Sequence, residues 1–270
     1  MSRTRLALAA VLLSSAILAA VSVQPVLAFD ADTHYYLTYY IAFSAGFSQE
    51  EARVIASADC SIDSGGTISG FFYLINNPNW HGLATHAIND RRESYLWQRA
   101  LGALNSPEWS GTANEKLIPF GQFLHFVQDR YSHEDHFLAE VWGTISVGHK
   151  SDWLSYERTT SELMINKTDS FVRAFFAQYK GVSINNTVNW EDYSQLLTGM
   201  IASNPNPQFW AGSDISAGCA AVERKMGSTL PAPIDFTYDS LGGLTSRPRY
   251  PDNPLLLYFK VLFEQLQVRF

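Results

Sequence analysis

The sequence predicts an all-α fold, a single compact multi-helix domain with long irregular loops toward the C-terminus. Three observations lead there. Apolar residues recur at helical spacing in successive stretches, and capping residues stand at the head of one of them. Five of the eleven prolines gather within 228–254, leaving the rest of the chain open to long helices. No internal repeat, low-complexity tract or linker divides the chain, so one domain is the economical expectation.

Residues 1–28 stand apart. Arg3 and Arg5 give a short positive start, 6–23 is an apolar run rich in Ala and Leu, and Val26, Leu27 and Ala28 supply small residues of the kind a signal peptidase accepts. A cleaved signal peptide is therefore expected, with Phe29 as the mature start and 29–270 as the domain. No later segment is long and apolar enough to cross a bilayer, so a secreted or periplasmic protein without a transmembrane segment is the expectation.

The elements follow in order. Residues 33–45 form an apolar and aromatic stretch closed by Gly46. Ser48, followed by Gln49, Glu50 and Glu51, is a cap with an acidic first turn, and Val54, Ile55, Ala58 and Ile62 continue it at helical spacing. Residues 64–80 hold Gly, Asn and Pro and read as a loop. Helices are expected over 85–104, from 117 toward 142, and over 161–179, 191–202 and 254–270. The proline-rich 228–254 segment should wrap the surface or line a cleft.

Composition narrows the function. The chain has 19 basic and 26 acidic residues, a formal net charge of −7, and loses two of its cations with Arg3 and Arg5. That balance argues against broad charge-driven binding to nucleic acid or anionic lipid, so no stable nucleic-acid partner is expected. One chain is expected to act as a monomer. Cys60 and Cys219 are the two cysteines, and in an exported chain a disulfide between them is plausible.

All seven histidines fall between His34 and His149. The densest stretch, "HFVQDRYSHEDH", begins at His125. On a helix, His125, Asp129 and His133 share an arc of about 80°, and His136 returns to within about 20° of His125 if the helix continues. Phe126, Val127 and Tyr131 lie on the opposite side, suited to packing. This ladder climbs about 12 Å, too far for one ion and suited to two or three. A carboxylate between two histidines is well placed to bridge cations. Familiar alternatives are missing. His133 and His136 are three apart rather than four, no His-Asp dipeptide occurs, and there is no Gly-x-Ser-x-Gly elbow.

With these residues in view, residues 29–153 resemble the zinc-dependent phospholipase C and single-strand-nuclease superfamily, exported all-helical phosphodiesterases with three zinc ions. The likeness lies in the order and type of ligands, and is nearer to bacterial relatives with "DTHYYLTYY", "GFS-E-A-IA" and "HF-QD-SH" signatures. It implies that Phe29 binds metal through its free amine and that His34, five positions on, is a ligand. An aspartate follows, Asp63 in preference to Asp59, with the other as a supporting or solvated acid. After the loop comes His81 in preference to His86. Next come His125 and Asp129. The family's Gln-Pro-x-His turn is absent and Asp135 stands where its histidine would be, so His133 is favoured, with His136 the alternative. His149 and Asp152 close the series, three apart where the family has four.

By this resemblance one ion takes Asp63 or Asp59 with His81, His125 and Asp129. A second takes Phe29, His34 and a shared Asp129, and a third takes His133, His149 and Asp152. Two or three Zn²⁺ per chain are implied, with Asp63 and Asp129 as the catalytic carboxylates. The implied reaction is hydrolysis of a phospholipid, nucleotide or small-molecule phosphodiester by metal-activated water. Phe71, Phe72, Tyr73, Trp80, Trp142 and Trp153 could line a substrate pocket or simply fill the core. The competing readings are a non-catalytic exported metal-binding protein or inactive homologue, and a metal hydrolase of amides or esters.

Overall fold

A computed structural model describes residues 32–62, 80–82, 84–105, 114–134, 154, 157–182, 190–203, 215–234 and 236. All regular structure among them is helical. The tyrosine-rich head begins as a π-helix, Asp32–Leu37, and tightens into α1, Thr38–Ser44. A π-turn widens the helix, and such turns recur at functional sites. This one carries His34. The stretch ends at Gly46, as expected.

Helix α2, Gln49–Cys60, starts where the cap predicts. The Glu51 amide donates to Ser48 Oγ at 3.3 Å, and the Ser48 amide donates back to Glu51 Oε2 at 2.8 Å. This reciprocal pair satisfies two of the donors a helix start leaves open. Helix α3, His86–Asn105, matches its expected range to within a residue.

Helix α4, Ile118–His133, follows a 3₁₀ turn at Glu115–Leu117. It is the hub of the fold and packs against α2, α3 and α5. Every residue from Leu117 to Asp129 is buried, so α4 has no solvated face over that length. The helix stops at His133, short of the expected continuation toward residue 142, and residues 135–142 lie outside the described ones. At Glu134 the backbone leaves the helix, with ψ at 126°. There the Glu134 carboxylate is drawn to Arg130 and to two residues far back in the chain, His86 Nδ1 at 2.6 Å and Asn89 Nδ2 at 3.2 Å.

Helices α5, Arg158–Lys180, and α6, Trp190–Ser203, fall where expected. Helix α7, Ile215–Met226, was not anticipated; its Gly218 and its small residues blur the apolar period. It packs on α6 and on the π-helix. The sequence after α7 turns back as an extended strap. Tyr35 donates to the Pro231 carbonyl at 2.6 Å, Arg53 to the Ala232 carbonyl at 2.7 Å, and the Ile234 amide to Ser57 Oγ at 2.8 Å. The strap thus ties the π-helix to α2. The expected 254–270 helix and all of the expected 64–80 loop except Trp80 lie outside the described residues. No disulfide joins Cys60 and Cys219. Among the described residues no helix is long and apolar enough to cross a membrane.

The core between α3, α4 and α5 is aromatic. Phe120 of α4 stacks on Phe175 of α5 with centroids 3.9 Å apart, and Trp97 of α3 packs beside Phe120, Phe123, Phe171 and Phe175. Burial of each such ring is worth about 1.5–3 kcal/mol, with about 0.5–1.5 kcal/mol more per well-placed aromatic pair. Two glycines set the distances that matter most. A Cβ on Gly121 would stand 2.3 Å from the Ile55 carbonyl oxygen and 2.7 Å from Ala58 Cβ, so α2 and α4 touch backbone to backbone there. Gly82 has φ +58°, and a Cβ on it would meet Arg130 Cα at 2.6 Å. Asn89 holds that turn by donating to the carbonyls of Gly82 at 2.7 Å and Ala84 at 2.9 Å.

Candidate metal centre

Three elements deliver the site. The π-helix brings His34, the turn before Gly82 brings His81, and α4 brings His125 and Asp129 one helical turn apart. All four are buried. The close approach at Gly121 then carries Asp59, near the end of α2, to the same place.

Asp129 is the centre. Its Oδ2 lies 2.7 Å from His81 Nδ1 and 3.0 Å from His125 Nε2, and those two nitrogens are 3.2 Å from each other. Its Oδ1 faces His34 Nε2 at 3.2 Å. The rings of His34 and His125 are 4.3 Å apart. Ligands held at about 2.1 Å from one tetrahedral zinc lie about 3.4 Å from one another. The separations around Asp129, 2.7–3.2 Å, are shorter than that, so the donors would spread a little around an ion, and imidazole nitrogen with carboxylate oxygen is the donor set zinc favours. Ligand atoms of His34, His125 and Asp129 all fall within 4.8 Å of one another, so this group could hold a metal ion.

The electrostatics suit a cation. Burial works against the charge on Asp129, but His125, His34 and His81 outweigh it and keep its carboxyl well below the usual carboxylate range. Burial likewise opposes a charge on His34, yet Asp59 and Asp129 raise its pKa well above the ordinary value. Two carboxylates thus bring negative charge to the buried histidines, the charge that a bound cation would neutralise.

Residues 29–69 match a family of unknown function (DUF6765). No curated protein matches the chain, and no solved structure does. The matched range holds the π-helix, α1 and α2, and with them His34 and Asp59.

The remaining expectations divide by position. Asp59 stands behind the cluster, with Oδ1 2.9 Å from His34 Nδ1 and 3.4 Å from His125 Nδ1. His81 is in the cluster, whereas His86 lies on the surface, 72% exposed, paired with Glu134 and Asp90. His133 is the last residue of α4. Phe29, Asp63, His136, His149 and Asp152 lie outside the described residues. Sequence reading missed two participants, Thr38 and Gln128. Gln128 Oε1 is 2.9 Å from His34 Nδ1, Gln128 Nε2 donates to Thr38 Oγ1 at 2.7 Å, and Thr38 donates to Asp59 Oδ2 at 2.7 Å. Both stand within the quoted signatures, Thr38 in "DTHYYLTYY" and Gln128 in "HF-QD-SH", yet neither is a usual metal ligand.

Proposed function

We propose that the chain is an exported metal-dependent phosphodiesterase of the zinc phospholipase C and nuclease type, acting on phospholipid or nucleotide phosphodiesters with two or three zinc ions. The observation that carries this reading is the convergence of His34, His81 and His125 on the single buried carboxylate of Asp129. Bound zinc would bring the pKa of a coordinated water toward neutrality and neutralise charge on the phosphoryl oxygens.

The chain's own residues have distinct tasks in this reading. His81, His125 and Asp129 Oδ2 would hold one ion, and His34 with Asp129 Oδ1 would hold a neighbour, making Asp129 the bridge. Phe29 would add its amine to the second ion, and Asp63 a carboxylate to the first. His133, His149 and Asp152 would hold the third. Burial of the cluster keeps bulk water from competing for these donors and strengthens their charge interactions. The ordered export of the chain would expose the Phe29 amine only after cleavage.

The test is metal content followed by turnover. Protein beginning at Phe29 should carry at least two zinc ions per chain by elemental analysis. It should also hydrolyse bis-p-nitrophenyl phosphate and lose that activity to a chelator. A second reading also has an observation behind it, because His34, His125 and Asp129 are 0% exposed, as in a structural metal site. One tightly held metal with no phosphodiester, ester or amide turnover across pH would select it.

A further inference from the structure

We propose that Thr38, Gln128 and Asp59 are positioning residues, a buried ring that holds His34 with a proton on Nδ1 and turns its Nε2 toward the metal. The proposal rests on the metal-site reading above. All four side chains are fully buried, so each polar atom must find its partner within the protein.

The direction of every hydrogen bond in the ring follows from one asymmetry. A carboxylate only accepts. The Thr38 hydroxyl has a single proton, and Asp59 Oδ2 at 2.7 Å is a far better acceptor than the Thr33 carbonyl at 3.5 Å. Having given its proton to Asp59, Thr38 Oγ1 is left to accept, and Gln128 Nε2 at 2.7 Å is the donor. That choice orients the Gln128 amide, so its Oε1 faces His34 Nδ1 at 2.9 Å. Asp59 Oδ1 faces the same nitrogen at 2.9 Å. A nitrogen flanked by two acceptors must carry hydrogen.

The consequence falls on the opposite edge of the ring. With Nδ1 protonated, Nε2 is the atom available to a cation, and it is the one that faces Asp129. Turning the amide over, or moving the ring proton, would set donor against donor and oxygen against lone pair in a buried space. The proposal also gives Asp59 a task distinct from ligation, since both its oxygens face protein donors. It acts on the metal through the histidine, as carboxylates behind metal-bound histidines commonly do.

The experiment is a zinc titration of protein beginning at Phe29 and labelled with nitrogen-15 at histidine, read by long-range proton–nitrogen correlation. The His34 signals are assigned by their loss in His34→Gln. With zinc bound, His34 should carry its proton on Nδ1 and coordinate through Nε2. Thr38→Val and Gln128→Leu should each weaken zinc binding by about ten- to a hundredfold, the usual effect of removing an outer partner. Thr38→Ser, which keeps the hydroxyl, should bind zinc like the wild type. Zinc on Nδ1 of His34 in the wild type, or unchanged affinity in both Thr38→Val and Gln128→Leu, would overturn the proposal while leaving the metal site standing. A wild-type protein that binds no zinc would overturn the metal site itself, and the proposal with it. The wild-type spectrum needs no variant, so a variant that fails to fold does not protect the idea.

Discussion

At Asp129 one carboxylate faces three imidazoles, so its removal should be felt at every ligand at once. Asp129→Asn keeps the shape but discards the charge and one acceptor. Zinc affinity should fall by more than the about ten- to a hundredfold typical of an outer partner, and phosphodiester turnover should fall with it. Equal zinc titrations for the variant and the wild type would sink this. His34 supplies a second expectation. Its ring is held protonated well above the ordinary histidine range by Asp59 and Asp129, against the effect of burial. Zinc must therefore displace a proton, so binding at neutral pH should release protons and weaken as pH falls. Calorimetry in two buffers of different ionisation enthalpy measures that release, and identical heats would contradict it. Glu51 tests the electrostatics away from the site. Burial works against its charge, but Lys180, the Ser48 amide and Tyr179 hold its pKa below the ordinary 4.5. A depressed carboxyl stabilises the fold above its unfolded pKa and loses that contribution as pH falls through the folded value. Glu51→Gln should therefore be less stable than the wild type at pH 7, and the gap in Tm should close as acid is added below about pH 4.5.

Among the elements, α2 and α4 are the pair that the site depends on, and Gly121 is where they meet. Gly121→Ala would force Ile55 and Ala58 away and carry Asp59 off His34 and His125. It should cost about 1–3 kcal/mol by overpacking and weaken zinc binding as well. A methyl group on Gly102, in α3, would meet nothing within 4 Å, so Gly102→Ala should stabilise by about 0.5–1 kcal/mol and leave zinc binding alone. Denaturant unfolding and zinc titration of the two variants provide the comparison. The helices that were legible in the sequence are those with a clear period and a cap, such as α2 with Ser48 and Glu51. The stop of α4 was not legible, because it depends on Glu134 reaching His86 and Asn89, residues about 45 positions earlier. Helix α7 was hidden by its small residues. For the site, spacing along one helix sufficed to pair His125 with Asp129, and the order of ligand types brought in His34 and His81. The roles of Thr38 and Gln128 stayed hidden, although both stand in the quoted signatures, because a hydroxyl and an amide carry no ligand signature of their own. Their role comes from a hydrogen bond between two side chains 90 positions apart.

On the scale of the whole molecule, maturation and metal loading should be linked if Phe29 supplies a ligand. Protein with one extra residue before Phe29 should bind one metal ion fewer and lose most of its turnover, and equal metal content in both forms would refute the N-terminal ligand. The strap after α7 adds a constraint of a different kind. Tyr35 and Pro231 are 196 positions apart, and Arg53 and Ala232 are 179 apart, so part of what holds the segment carrying His34 in place is made very late. Contacts that span so much chain form slowly, because a long loop must close before they give any return. If the chain is exported as proposed, it would present its first histidines on the far side of a membrane before this part of their support exists. Early capture of a stray cation by that half-built pocket would be weak and reversible, and firm loading would wait for the last third of the polypeptide to arrive.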